Sequence, residues 1–104
     1  KDGHWHASLL DPDAYPYPEN STSAFFCYGL AWGVNNGILQ GAKYKKAMKK
    51  AWEGLIEAVH PDGKLGFVQP VGASPKPASY DSTEVYGVGA LLLAGTEILK
   101  ILEK

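Results

Sequence analysis

Two groups of residues in this 104-residue chain have side chains capable of chemistry. The first is His4-Trp5-His6 with Glu19, Ser21 and Thr22 downstream, and the second is Asp81-Ser82-Thr83-Glu84. An imidazole titrates near neutrality, so His6 is a candidate for proton transfer or for contacting a carboxylate, against the plainer reading of a histidine held by internal hydrogen bonds. The indole of Trp5 can stack on a flat ligand face or anchor a loop from beneath. Glu19 can accept from ligand hydroxyls or complement a helix dipole. Ser21, Thr22, Ser82 and Thr83 can offer hydroxyls and free N–H groups to an anion at a helix start, although capping alone accounts for them. Asp81 and Glu84 stand three apart, as a general acid and base on one helical turn would, but that spacing is common. His4 and His6 form a His-x-His pair with no third ligand at useful spacing, so no metal is expected. Cys27 is the single cysteine, which rules out an internal disulfide and a cysteine zinc cluster. Neither a nucleophile elbow nor a glycine-rich phosphate loop is present, and no cofactor is expected.

The elements that must position these residues read as three helices and two long loops. Residues 1–20 hold three Pro, three Asp and five aromatic or imidazole rings, which is loop chemistry. Residues 21–37 read as a helix with Ser21 as N-cap and Gly37 as its left-handed end, apolar all round and therefore enclosed. Residues 42–60 read as an amphipathic helix. Tyr44, Ala47, Met48, Ala51, Trp52, Leu55, Ile56 and Val59 form its stripe, and the lysines of 43–50 face water. Pro61 and the Asp62-Gly63 turn end it. Loop resumes over 61–80, with a short extended piece at 65–69. Residues 81–102 read as a third helix, capped by Asp81 or Ser82 and again apolar round most of its circumference.

Two recurrences suggest an internal repeat of about 60 residues: Asp2-Gly3 returns as Asp62-Gly63, and Ser21-Thr22 as Ser82-Thr83. The order enclosed, amphipathic, enclosed fits a double ring of helices better than a four-helix bundle, in which every helix would show a wet face. The chain then reads as all-α, one domain over 1–104, an arc of a helical toroid. Gly29, Gly33, Gly87, Gly89 and Gly95 each cost roughly 1 kcal/mol of helix propensity relative to Ala, and close helix–helix approach is a reason to keep them. Three helices cannot enclose two apolar ones, so the reading expects a longer polypeptide around them or self-association. A net charge of −1 argues against nucleic acid. No uninterrupted apolar run of about 18 residues occurs, so no membrane span is expected. One cysteine is compatible with an oxidising or a reducing compartment.

The segment DGHWHASLLDPDAYPYPENSTSAFFCYGLAWGVNNG resembles the unsaturated rhamnogalacturonyl hydrolases and unsaturated glucuronyl hydrolases, glycoside hydrolase families 105 and 88. The similarity lies in an Asp-Gly-x-Trp-His loop, an Asp-Pro-x-x-Tyr turn, and a Glu-x-Ser/Thr-x-Ser/Thr-Ala helix start. AWEGLIEAVHPDGKLGFVQPVG and STEVYGVGALLLAG extend it over nearly the whole chain. The resemblance implies an (α/α)6 barrel of six helical hairpins, of which these residues form about two. It implies an enzyme that removes a Δ4,5-unsaturated uronic acid from the non-reducing end of a pectin-derived, rhamnogalacturonan oligosaccharide or a glycosaminoglycan fragment. An aspartate protonates the vinyl ether, water adds and the hemiketal collapses, without metal or cofactor. That aspartate belongs to an earlier hairpin, N-terminal to the Asp-Gly-x-Trp-His loop, so no catalytic residue is assigned among these residues. Trp5, His6, Glu19, Ser21, Thr22, Thr83 and Glu84 are the expected substrate-binding set. A non-catalytic helical-repeat module that binds sugars or proteins through the same loops is the competing reading, and an interaction domain unrelated to sugars ranks behind both.

Overall fold

The computed structural model describes residues 3–72 and 76–103. Its elements in chain order are a 3-10 turn, Pro12–Ala14, and three helices: α1, Asn20–Asn35, α2, Ala42–Glu57, and α3, Val85–Leu102. Among the described residues the only β pairing is an isolated antiparallel bridge between Val59 and Leu65, so the extended piece expected at 65–69 does not become a strand.

Both apolar helices begin away from the expected caps. The N-cap of α1 is Glu19, whose carboxylate accepts from the amides of Ser21 and Thr22. Ser21 therefore lies inside the first turn and is not the cap. The N-cap of α3 is Glu84, with no side-chain cap bond. Asp81 and Ser82 lie outside α3, and Ser82 instead closes a turn, its N–H donating to the Ser79 carbonyl at 3.0 Å. The repeat is accordingly real but uneven. Gly3 and Gly63 share a backbone φ of 91°, a conformation that L side chains rarely adopt, while Asp2 lies outside the described residues. The N-caps at 19 and 84 are 65 apart (84 − 19), so the second loop is longer than the first.

α1 and α3 run parallel. At their starts the two loops meet, and at their ends Asn35 Nδ2 donates to the Glu97 carbonyl at 3.0 Å and to its carboxylate at 3.1 Å. α2 returns antiparallel to α1. The Cys27 thiol points at the Met48 carbonyl midway, and Gly54 near the end of α2 lies against Gly3 and the His4 ring. The buried stripes are mostly small residues. Asn20, Ser23, Ala24, Cys27 and Ala31 are buried on α1, and Gly87, Ala90, Ala94, Glu97 and Ile98 on α3. Buried alanines thus outnumber buried glycines on α1 and α3. Gly33 makes room for Leu39, Gly87 for Val68 and Gly95 for Trp52, whereas a Cβ at Gly29 or Gly89 meets nothing within 4 Å among the described residues.

The α2 stripe buries Met48, Ala51 and Leu55, with Gly54 between them, but leaves Ile56 half exposed. Phe25, Phe26 and Trp32 on α1 and Val85, Leu92, Leu93, Leu99 and Leu102 on α3 are also exposed. Neither apolar helix is enclosed by these residues alone. α3, with a mean hydropathy of 1.6 over 18 residues, is long and apolar enough to cross a membrane by length and composition. The sequence argument against a span needed an uninterrupted run and so missed it. One face of this helix is spent on α1.

Candidate functional site

The expected site residues sort into two places at the common end where α1 and α3 begin. Glu19 is the centre of the first. It is 3 % exposed. Its Oε2 accepts from the Thr22 N–H at 2.9 Å, the Thr22 hydroxyl at 2.6 Å and the Ser21 hydroxyl at 2.7 Å. Its Oε1 accepts from the Ser21 N–H at 3.3 Å and, across 50 residues of sequence, from the Gln69 N–H at 3.3 Å. Burial works to raise the Glu19 pKa, but the Thr22 and Ser21 hydroxyls and the Thr22 and Gln69 amides outweigh it and hold the group below its ordinary value of 4.5. Glu19 is thus a fixed carboxylate at the positive end of α1.

Asn20, which the sequence did not single out, completes this junction. It is wholly buried. Its Nδ2 donates to the Gly66 carbonyl at 2.9 Å and its backbone N–H to the Phe67 carbonyl at 2.8 Å. With Nδ2 serving as donor, Oδ1 accepts from His4 Nδ1, 3.1 Å away. Phe67 holds a φ of 56°, unusual for a side chain of that size, and its amide donates to the Ser79 carbonyl at 2.8 Å. Tyr86, on the first turn of α3, donates its hydroxyl to the Gln69 carbonyl. Burial and the Glu19 charge push the Tyr86 phenol above its ordinary value, with Glu84 adding to this and the Ser21 hydroxyl opposing it. Glu19, Ser21, Gln69 and Tyr86 therefore form one polar cluster joining both loops and both helix starts.

Trp5 and His6 flank it. The Trp5 N–H donates to Ser23 Oγ and its carbonyl accepts from the Glu19 N–H, both at 2.9 Å, which pins the loop onto α1. The indole meets Phe26 edge-on, with ring centroids 5.1 Å apart, and lines a shallow cleft of about 370 Å³ with Leu9, Phe25, Leu30 and Leu39. His6 Nδ1 lies 2.8 Å from the Tyr15 carbonyl. A carbonyl only accepts, so Nδ1 carries the proton and, in the neutral ring, Nε2 keeps its lone pair. The His-x-His pair thus divides between two unrelated partners.

Thr83 and Glu84 lie in the second place, a cleft of about 590 Å³ that Asp62, Lys64, Val88 and Leu92 also line. Thr83 Oγ1 is buried and meets no hydrogen-bond partner among the described residues. The Glu84 carbonyl accepts from the Gly87 and Val88 amides at 3.0 and 3.3 Å. Asp81 does not share a helical turn with Glu84; it faces Lys64 across 3.8 Å at an exposed position. The geometry gives no support to an acid–base pair there.

Two parallel helices that start side by side, each led in by a ring-bearing loop and separated by an antiparallel outer helix, define successive hairpins of a helical toroid. The chain belongs to Glycosyl Hydrolase Family 88, whose family model matches residues 1–102. A protein of Formosa agariphila named unsaturated 3S-rhamnoglycuronyl hydrolase is 53 % identical over 103 residues, which cover 99 % of this chain and 27 % of that protein. A protein of the same name from Alteromonas sp. is 48 % identical over 99 residues, 95 % of this chain and 24 % of that one. The solved structure of a family 88 glycosyl hydrolase from Bacteroides vulgatus superposes with a TM-score of 0.88 at 41 % identity, covering 95 % of this chain and 30 % of that one. The chain thus spans about a quarter of the length of the curated relatives it matches. Its fold is an arc of the family's (α/α)6 barrel.

Proposed function

We propose that these residues form part of the substrate site of a glycoside hydrolase that removes a Δ4,5-unsaturated uronic acid from the non-reducing end of an oligosaccharide. In the chemistry that the resemblance implies, a proton adds at one carbon of the C4=C5 vinyl ether and water at the other. The hemiketal then collapses, releasing the opened uronate and the remaining sugar chain. The proton-donating aspartate is assigned to an earlier hairpin of the barrel. The two loops of this chain supply binding surface, with Trp5, His6, Glu19, Ser21, Thr22, Thr83 and Glu84 as its candidates. The observation that carries this reading is the junction at Glu19 and Asn20, which gathers both loops at one end of two parallel inner helices, within a sequence that matches the family over 1–102.

The sugar beside the uronate is read as a rhamnose. That is common to the rhamnogalacturonan oligosaccharides of the resemblance and to the rhamnoglycuronyl substrates for which the two relatives are named. Their identity to this chain favours the second. The test is loss of the ultraviolet absorbance of the C4=C5 bond when the whole polypeptide carrying this sequence is given each unsaturated oligosaccharide in turn. Turnover with a higher kcat/KM on the rhamnoglycuronyl substrate is expected. Higher kcat/KM on the rhamnogalacturonyl one would move the specificity. Silence on both would overturn the reading in favour of a binding module.

A further inference from the structure

The far end of α1, opposite the Glu19 junction, carries a reactive pair that the functional reading does not use. Of the chain's three asparagines, Asn20, Asn35 and Asn36, only Asn36 is followed by glycine. In an Asn-Gly step no Cβ shields the glycine amide, so its nitrogen can reach the asparagine Cγ and close a succinimide ring. Asn36 is exposed and caps α1, and Gly37 follows at a φ of 73°, the left-handed turn that leaves the helix. Asn20, by contrast, is wholly buried, and Asn35 is held by two bonds to Glu97. The folded turn restrains both reacting groups. Asn36 Nδ2 donates to the Trp32 carbonyl at 2.8 Å, which draws the carboxamide back along the helix. The Gly37 N–H donates to the Val34 carbonyl at 3.2 Å, so the nucleophile is occupied and keeps its proton. Both bonds lie at a helix end, where local opening costs least.

We propose that Asn36 is a site of spontaneous modification gated by the end of α1: when the turn opens, the Gly37 nitrogen attacks the Asn36 carboxamide carbon and the residue becomes aspartate or isoaspartate. The bond from the Gly37 nitrogen to Cγ forms, the Cγ–Nδ2 bond breaks, and ammonia leaves with the amide proton. Water then opens the succinimide at either carbonyl, so the net change is water in and ammonia out. The new carboxylate falls in an unfavourable place. It stands at the negative end of the α1 dipole, with no proton to give the Trp32 carbonyl. It also joins a cleft of about 430 Å³ where Glu97 and Glu103 already stand against Lys100, beside the Asn35–Glu97 bonds that tie α1 to α3. In the isoaspartate form the backbone runs through the former side-chain carbonyl and is one carbon longer, so the bonds of the turn no longer match.

The test uses the whole polypeptide carrying this sequence, incubated in mildly alkaline buffer either folded or unfolded in guanidinium, then digested and weighed by mass spectrometry. A gain of about one mass unit on the peptide holding Asn36 is expected in both, split between aspartate and isoaspartate, and about tenfold slower in the folded protein. Asn20 and Asn35 are expected to stay unchanged in the folded protein over the same period. Asn36→Gln closes its larger ring far more slowly and is expected to keep its mass. Asn36→Asp carries the product's charge and is expected to melt about 2 °C below Asn36→Gln. Folded protein with no gain at Asn36 after about ten times the period that converts the unfolded chain overturns the proposal. So do equal rates in the two states, or conversion at Asn35 or Asn20 ahead of Asn36. An Asn36→Asp protein as stable as Asn36→Gln overturns the cost assigned to the new charge. The outcome is independent of the sugar reading, because mass and melting are followed, not turnover.

Discussion

Asn20→Ala tests the junction most directly. The side chain is wholly buried and makes two hydrogen bonds, donating to the Gly66 carbonyl at 2.9 Å and accepting from His4 Nδ1 at 3.1 Å. Truncation removes both, leaving the buried Gly66 carbonyl without its side-chain donor while the part-buried His4 ring loses one contact. Each lost bond is worth about 1 kcal/mol, and the one orphaned buried partner, the Gly66 carbonyl, adds a penalty of similar size, so about 3 kcal/mol of destabilisation is expected. Asn20→Asp is the sharper companion. It keeps an acceptor for His4 at nearly the same shape but loses the donor to Gly66 and buries a charge, so it should be no milder than alanine. The assay is guanidinium unfolding followed by tryptophan fluorescence, with stability taken from the midpoint shift at unchanged slope. A loss below about 1 kcal/mol for both variants would refute the reasoning, because the two loops would then be held together by something other than this amide.

Gly66→Ala should also destabilise by about 3 kcal/mol in the same assay, since a Cβ there lands on the Tyr80 backbone carbonyl, which has no flexible end to yield. The folded-state pKa of Glu19 is depressed, so its contribution is present above the ordinary value of 4.5 and lost as pH falls through the depressed one. Melting temperature followed from about pH 6 to about pH 3 should therefore fall more steeply in wild type than in Glu19→Gln. Burial raises the Cys27 thiol to about 11. Native protein at mildly alkaline pH should resist a thiol reagent that labels it promptly once unfolded, and rapid native labelling would contradict the packing of α1 on α2.

Much of the backbone plan was legible because it is local. The 3.6-residue stripe of α2 and the polar punctuation around each apolar run place three helices in the right order. The start of α1 was displaced for a local reason too. A glutamate carboxylate two or three residues upstream can reach the same free amides as a serine hydroxyl, and the types Glu-Asn-Ser-Thr do not say which one wins. The junction was legible only in half. Glu19, Ser21 and Thr22 are neighbours in sequence and could be grouped, but Gln69 and Tyr86 join them across 50 and more positions, and nothing periodic marks a loop amide or a phenol as their partner. Asn20 was missed because a buried asparagine and a solvent-facing one look alike until Gly66, 46 residues away, is in place. The exposure of Phe25, Phe26, Leu92 and Leu93 follows from the same limit: an apolar surface shows that a neighbour is wanted without drawing the neighbour.

The sequence separations in this junction also order events in time. The bonds that tie α1 to the second loop and to α3 span 46, 50 and 62 residues. The hairpin of α1 and α2 can form from near neighbours, but the Glu19 carboxylate acquires its Gln69 donor only once the second loop has folded back across 50 residues, because loop closure must come before such contacts add stability. The junction is therefore expected to assemble late and, on partial opening, to be released early. Amide exchange at Gln69 would follow release of the second loop from the start of α1, while the amides in the middle of α1 stayed protected.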